Sequence, residues 1–546
     1  MLDSVNPGIV QGKVEPLSVS EEIRRLKSTW RTLCAQYLPL HHDGSVWRYS
    51  RAWLPSDPHQ GWKIHISATI LTACDVLQAT GPYLRKCGVA FKAAATLSDL
   101  ARINSGLHHG YSQVGKFLTV YPFDVVIFCE AVEELHDLIP PNLLAPAVPF
   151  DFRYLESNIY FRYGSFVPNH NSQPIIESPQ GEFVLDRRDI PVPDGVPLPF
   201  AKSKSSPGRS LLQSPLASRY RVYSSLSQRG KGGVYEAIDT GTRPPRICII
   251  KEGRRNGETA WDGRDGRVRV ENEAKVLRNL GTKELNVPII YDSFETEDNA
   301  YLVLERIDGT NLQKLNADRK RRRSLANTLH ISKQICRIVA DIHAAGYIWR
   351  DCKPANMFLT KENCVRPVDF EGACPIDQPD PFVWSTPNFT PPEIREGKRA
   401  KPRHFPVAED LFALGTTLFF LVEGKLPPKN LECVANSRQC SADKGAWHVN
   451  DSSAINCEWR SNNRACSNVA NVGNLRVLRV KDSECPLEKF SRRGLPEEVK
   501  QVISRLLSND PSLRPRGEEV FAVLSLVESH LLQKRRKTRV VTNRIE

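Results

Sequence analysis

The sequence predicts an α+β chain of more than one domain, and three observations predict it. At Ala201-Lys202-Ser203-Lys204-Ser205-Ser206-Pro207-Gly208-Arg209-Ser210 small polar residues, Pro and Gly replace periodic apolar ones, which reads as a linker over 200–218. Ahead of it, over 1–199, strand-like alternation mixes with amphipathic helical segments. Behind it, over 219–532, an apolar strand at 247–251, a helical segment at 271–277 and larger helices follow one another. With 546 residues, 40% hydrophobic and 25% charged, the chain suits a soluble protein with two or three cores.

In the first domain the periodicity predicts helices over 20–38 and 69–84 and strands over 62–67, 117–121 and 159–163. In the second, a central helix starts at Asp410-Leu411-Phe412-Ala413-Leu414-Gly415, and a last helix is expected over 495–532. A basic tail, 533–546, closes the chain.

The most informative stretch is Tyr347-Ile348-Trp349-Arg350-Asp351-Cys352-Lys353-Pro354-Ala355-Asn356, followed thirteen residues later by Asp369-Phe370-Glu371. It resembles the catalytic and metal-binding loops of protein kinases, with Trp349 where His is usual and Glu371 where Gly is usual. The resemblance implies that Asp351, with Lys353 beside it, accepts the proton of a substrate hydroxyl, and that Asn356 and Asp369 hold Mg2+ on bound ATP. Upstream, Lys251 and Glu273 are the expected ion pair orienting the nucleotide phosphates, with Glu271 the competing partner. Ser227-Gln228-Arg229-Gly230-Lys231-Gly232-Gly233-Val234 reads as the loop covering the phosphates, although only Gly232 falls on a family glycine. Gly230 and Gly233 are expected to let backbone amides approach phosphate oxygens, and Val234 to border the nucleotide. Downstream, Pro391-Pro392-Glu393 resembles the A-P-E element, with Arg514 expected to pair with Glu393. Glycine at position 371 would relax the backbone, so Glu371 implies a stiffer metal loop. The resemblance runs from about Tyr220 to about Leu532 and implies a bilobal kinase-like fold.

In the first domain, Lys63 and His65 stand two apart on an alternating strand and so share one face. Ala90-Phe91-Lys92 sets a lysine in apolar surroundings, which favours a lowered pKa and a usable base. Lys116, in Gly115-Lys116-Phe117, and Arg162, in Phe161-Arg162-Tyr163-Gly164, add cations. Four cations on one sheet with few balancing acids suit a doubly charged anion. At these residues the domain resembles the N-terminal lyase domain of class III lanthipeptide synthetases and, more distantly, phosphothreonine lyases. That resemblance implies a phosphothreonine-lyase-like α+β domain. In it Lys92 takes the α-proton of a phosphorylated residue, His65 protonates the leaving phosphate, and Lys63, Lys116 and Arg162 clamp the phosphate.

Class III synthetases usually carry a third, cyclase domain. The stretch after 532 leaves no room for one, so a separate cyclase, a linear product or another use of the domain pair is expected. An insert over 430–493 holds Cys433, Cys440, Cys457, Cys466, Cys485 and His448 without a Cys-x-x-Cys pair, which argues against zinc. The other nine of the 14 cysteines are scattered, as in a reduced cytoplasmic protein. The opening residues lack a signal peptide and no apolar run reaches a membrane span. Net charge is +13, with basic runs at 319–323 and 534–539. Neither run carries interleaved aromatics, so solvated surfaces are expected and not specific nucleic-acid binding.

The leading expectation is ATP- and Mg2+-dependent phosphorylation of Ser/Thr in a peptide, followed by β-elimination of the phosphate. The alternatives are a plain Ser/Thr kinase whose N-terminal domain binds phosphopeptides or regulates, and a pseudokinase scaffold.

Overall fold

The computed structural model describes residues 19–166, 174–201, 205–207, 218–317, 323–379, 384, 386–395, 407–428 and 490–542. Residues 430–489 of the cysteine-containing insert and most of the 319–323 basic run lie outside the described residues. Two compact units make up the chain, residues 1–271 with 290–305 and residues 272–289 with 306–546.

In the first unit, β1 (Leu40–His41), β2 (Trp47–Tyr49), β3 (Gln60–Ile66), β4 (Ala90–Ala94), β5 (Leu118–Tyr121), β6 (Phe152–Tyr154) and β7 (Ile159–Ser165) form most of one antiparallel sheet. A hairpin, β8 (Ile175–Glu177) and β9 (Phe183–Leu185), stands beside it, and β10 (Ser205–Pro207) completes the order β1-β2-β4-β5-β3-β7-β6-β10. β10 lies inside the expected linker, so three of those residues are a strand paired with β6.

Four helices accompany the sheet: α1 (Val19–Tyr37), α2 (Ala73–Cys87), α3 (Leu97–Ser105) and α4 (Val125–Leu138). Period-2 alternation on β3 sends Trp62, Ile64 and Ile66 into a core with Trp30 of α1, Leu77 of α2 and Phe128 of α4. That burial turns Lys63 and His65 to the opposite face. α3 is bounded by Thr96, whose hydroxyl accepts from the Asp99 amide, and by Gly106 at φ 68°, a left-handed stop that suits glycine.

The same unit holds a five-stranded antiparallel sheet in the order β11-β12-β13-β15-β14. Its strands are β11 (Tyr220–Arg229), β12 (Gly232–Asp239), β13 (Arg246–Arg254), β14 (Ile290–Glu295) and β15 (Asn299–Glu305). Tyr220, Tyr235, Cys248, Ile250, Tyr301 and Val303 form its core. This sheet therefore groups with the N-terminal domain. Helix α5 (Gly266–Thr282) carries the chain into the second unit.

The second unit is mainly helical: α6 (Leu312–Ala317), α7 (Leu325–Ala344), α8 (Pro392–Arg395), α9 (Ala408–Glu423), α10 (Glu497–Leu506) and α11 (Gly517–Thr542). β16 (Gly309–Asn311) pairs in a small sheet with β18 (Met357–Thr360) and β19 (Val365–Pro367), and β17 (Tyr347–Ile348) with β20 (Cys374–Pro375). α7 packs on α9 and α11, and α9 is buried on nearly every side, as its apolar run requires. The expected single last helix is two: Asp510-Pro511 starts a separate turn and Pro515 prevents continuation, so α10 and α11 are distinct. α11 continues through Thr542, so the expected tail is helical to that point. Among the described residues no helix is long and apolar enough to cross a membrane.

Candidate active sites

In the second unit the catalytic-loop motif is held from below by α9. Asp410, fully buried, accepts from the backbone amides of Trp349 at 2.7 Å and Arg350 at 2.6 Å and meets His343 at 2.9 Å. Two amides on one carboxylate fix the loop's path, including Arg350 at φ 67°. Asp351 then sits in a tight cluster. Its carboxylate accepts from Lys353 at 2.8 Å, Asn356 at 2.7 Å and the Thr386 hydroxyl at 3.0 Å. Burial raises the Asp351 carboxyl above its usual range, Lys353 opposing and nearby Asp369 adding to the rise. The amide nitrogen of Asn356 also donates to Asp351 O, which leaves Oδ1 as the acceptor on offer. With the Asp369 carboxylate, that is the oxygen chemistry Mg2+ takes.

Both departures from the kinase pattern find their place. The Trp349 indole N–H donates to Asp369 O at 3.0 Å while its ring stacks on Phe370, centroids 5.5 Å apart. The positive φ in the metal loop falls on Asp369, at 69°, and not on Glu371, so a side chain at 371 is accommodated. α5 pins this loop: Glu273 accepts from Phe370 N at 2.9 Å, and Asn272 donates to Glu371 O and Ala373 O. Of the two candidate glutamates, Glu273 is buried, whereas Glu271 is partly exposed and held by Arg267 at 2.9 Å. The expected Arg514–Glu393 pair is present, two-pronged at 2.6 and 2.9 Å.

In the first unit, Lys251 stands on β13 directly across from Val234 on β12 and Leu302 on β15. The expected phosphate-covering loop is a hairpin tip, Arg229 pairing with Gly232 around Gly230-Lys231. Gly230 departs from expectation, because its amide is already donated to Ser105 O at 3.0 Å and does not point free toward a nucleotide. The glycines here answer to crowding. A Cβ on Gly232, at φ 153°, would lie 1.7 Å from Glu252 O, and one on Gly233 would lie 2.1 Å from the Tyr235 hydroxyl.

The N-terminal sheet gathers its expected residues on one face. Register aligns Lys92 (β4), Thr119 (β5), His65 (β3) and Tyr160 (β7) across the strands, and Lys63 faces Arg162. The expectation of few balancing acids is corrected. His65 Nδ1 meets Asp151 Oδ2 at 2.5 Å, Lys116 meets the other Asp151 oxygen at 3.1 Å, and Arg162 meets Asp186 at 2.6 Å with Lys63 3.8 Å away. Both aspartates are buried, as so many desolvated cations require. Nothing periodic marks them: Asp151 follows Phe150 in an apolar run and Asp186 follows the end of β9.

Electrostatics at this face run one way. Burial and the neighbouring cations Arg188 and Lys116 lower Lys92 to about 8. Burial, offset by Asp186, lowers Lys63 to about 7, and burial also lowers Lys116. Burial and Lys116 push His65 down, so at neutral pH it is a neutral imidazole steered by Asp151. Lys116 and His65 together overcome burial to hold Asp151 well below the carboxylate range. Arg162 is almost wholly buried, and its Nε has no hydrogen-bond partner among the described residues. The Lys92 ammonium lies 4.4 Å from the Trp47 ring centre. The face is thus cation-rich and incompletely satisfied, a chemistry that favours anions.

Comparison with known proteins groups the five-stranded sheet with the residues that follow it. Residues 220–523 match the protein kinase domain. The chain belongs to the protein kinase family. Ahead of its kinase domain, residues 36–210 match the N-terminal domain of RamC. The chain is 30% identical over 392 residues to a probable SapB synthase of Streptomyces coelicolor, covering 68% of this chain and 40% of that protein. It is 28% identical over 228 residues to serine/threonine-protein kinase F of Synechocystis, covering 38% of this chain and 45% of that one. Against serine/threonine-protein kinase PknA of Mycobacterium tuberculosis the figures are 29% over 225 residues, 39% and 48%. The chain thus spans less than half the length of each of these relatives.

Proposed function

We propose that the kinase domain phosphorylates Ser or Thr in a peptide with ATP, and that the N-terminal domain then eliminates the phosphate to leave a dehydroamino acid. The observation that carries this reading is the buried His65–Asp151 pair set among Lys63, Lys92, Lys116 and Arg162 on one sheet face, in a chain that also carries the Asp351 cluster.

In the first step Asp351 receives the hydroxyl proton, its raised pKa suiting a base, and Lys353 and Thr386 hold it in place. Asn356 and Asp369 would hold the magnesium, and Lys251 with Glu273 would orient the nucleotide. Mg-ATP supplies the phosphoryl group and neutralises its charge when bound. In the second step neutral Lys92 takes the α-proton, the C–H electron pair becomes the double bond, and the Cβ–O bond breaks. Phosphate leaves carrying a proton from His65. A phosphate dianion among Lys63, Lys116 and Arg162 brings the negative charge that returns His65 to its protonated form. The unpaired Arg162 Nε suits the same anion. Free cysteines among the described residues and dependence on ATP suit a cytoplasmic enzyme.

Incubating a Ser/Thr peptide with ATP and magnesium tests this by mass. Loss of one water supports it. Gain of one phosphate alone means a kinase whose N-terminal domain only binds or regulates. An unchanged peptide means a scaffold.

A further inference from the structure

Given the kinase reading, we infer that the N-terminal domain positions the phosphate-covering hairpin, so that Ser105 and Tyr111 set nucleotide affinity at a site built on another sheet. The hairpin tip is seated on the end of α3. Gly230 N donates to Ser105 O at 3.0 Å, and the fit is backbone against backbone: a Cβ on Gly230 would lie 1.7 Å from Asn104 O. That seat is rigid. Asn104, buried, donates to Ala68 O at 3.0 Å and accepts from Gly115 N at 3.1 Å, which ties α3 to the strands around it.

A second grip comes through Arg254. Its guanidinium lies 5.0 Å from the centre of the Tyr111 ring and donates to Arg229 O, Gln228 and Glu252, each at 2.8 Å. Its backbone amide donates to Lys231 O at 2.8 Å. One arginine therefore spans the N-terminal domain's ring, the end of β11 and the hairpin tip. The chain beyond β13 is anchored too: Asn256 donates to Ala145 O at 3.2 Å, and Trp261 packs against the N-terminal core.

A two-residue tip on an exposed hairpin ordinarily samples many positions, and ordering it costs free energy at the moment of binding. Here that ordering is done in advance by the neighbouring domain. Ser105 and Tyr111 are positioning residues. Ser105 holds the hairpin tip directly, and Tyr111 acts on it through Arg254.

In the full chain, Tyr111→Ala should raise the KM for ATP about tenfold with kcat largely kept, the size expected for one lost cation–π grip. Tyr111→Phe, which keeps the ring, should behave as wild type. Gly230→Ala should shift KM in the same direction. Direct titration of Mg-ATP should give the same shift in Kd, and hydrogen exchange should show residues 228–232 protected in wild type and exposed in Tyr111→Ala. Unchanged affinity in both variants, or tighter ATP binding on release of the hairpin, would overturn the inference. Exchange and binding are read without turnover, so a chain that binds ATP but fails to phosphorylate removes the proposed function and leaves this test intact.

Discussion

His65 Nδ1 and Asp151 Oδ2 lie 2.5 Å apart on the polar face of the N-terminal sheet, with His65 5% exposed and Asp151 not exposed at all. The second oxygen of the same carboxylate holds Lys116. One aspartate thus orients the proposed acid and neutralises a proposed phosphate ligand. Asp151→Asn should leave the desolvated Lys116 ammonium short of its countercharge and His65 without the carboxylate that steers it. Elimination from a synthetic phosphopeptide should fall by ~10²-fold or more, and stability by about 3 kcal/mol. Steady-state kinetics and urea unfolding measure the two separately; undiminished elimination would remove Asp151 from the mechanism.

Lys92 must be neutral to act as a base, and its surroundings lower it to about 8. Elimination should therefore rise with pH and level off above about 8, and Lys92→Ala should abolish it at every pH. Lys63, lowered from 10.5 to about 7, adds a stability effect of known sign. Between those values the unfolded chain keeps a proton that the folded chain has released, so folding stability should increase with pH across that window. Lys63→Met should flatten that slope in denaturant titrations run from pH 7 to pH 10.

Asp410 carries the backbone of the catalytic loop through two amides. Asp410→Ala orphans both, together with His343, and should cost about 3 kcal/mol. Phosphorylation should be lost even where the variant remains folded by circular dichroism.

Trp349 spans the catalytic and metal loops, its ring on Phe370 and its N–H on Asp369 O. Trp349→Phe keeps the stacking and removes the donor. It should lower kcat for phosphorylation by about tenfold, the weight of a buried hydrogen bond. An unchanged kcat would show that stacking alone aligns the two loops.

Local patterns were legible in the sequence and long-range balance was not. Lys63 and His65 could be set on one face because strand side chains alternate strictly, and the Asp351 to Asp369 spacing lies within one stretch of chain. Arg514 and Glu393 could be paired across more than a hundred residues because each sits in a recognisable motif. Asp151 and Asp186 belong to no motif. Their role follows from burial beside cations that arrive from other strands, which register alone decides. The seat of Gly230 on Ser105 is likewise a contact between distant backbones, invisible to side-chain identity. A run of apolar periodicity over 495–532 hid the Pro511 and Pro515 break, because period was weighed above the missing amides.

The two proposed chemistries use separate side chains, which makes them separable by mutation. Asp369 belongs to the metal loop of the second unit, and His65, Asp151 and Lys92 to a sheet of the first. Asp369→Asn removes a charge proposed to hold Mg2+ but nothing that the proposed elimination step uses. Phosphorylation of an unmodified peptide should fall below detection, while a synthetic phosphopeptide should still lose phosphate at the wild-type rate. His65→Ala should do the reverse, and phosphopeptide should accumulate by mass. Mixing the two variants should restore net dehydration only as fast as phosphopeptide diffuses between chains, which dilution would slow, whereas the wild-type enzyme holds both sites on one chain. Loss of both activities in Asp369→Asn would instead mean that the lyase face depends on the state of the kinase.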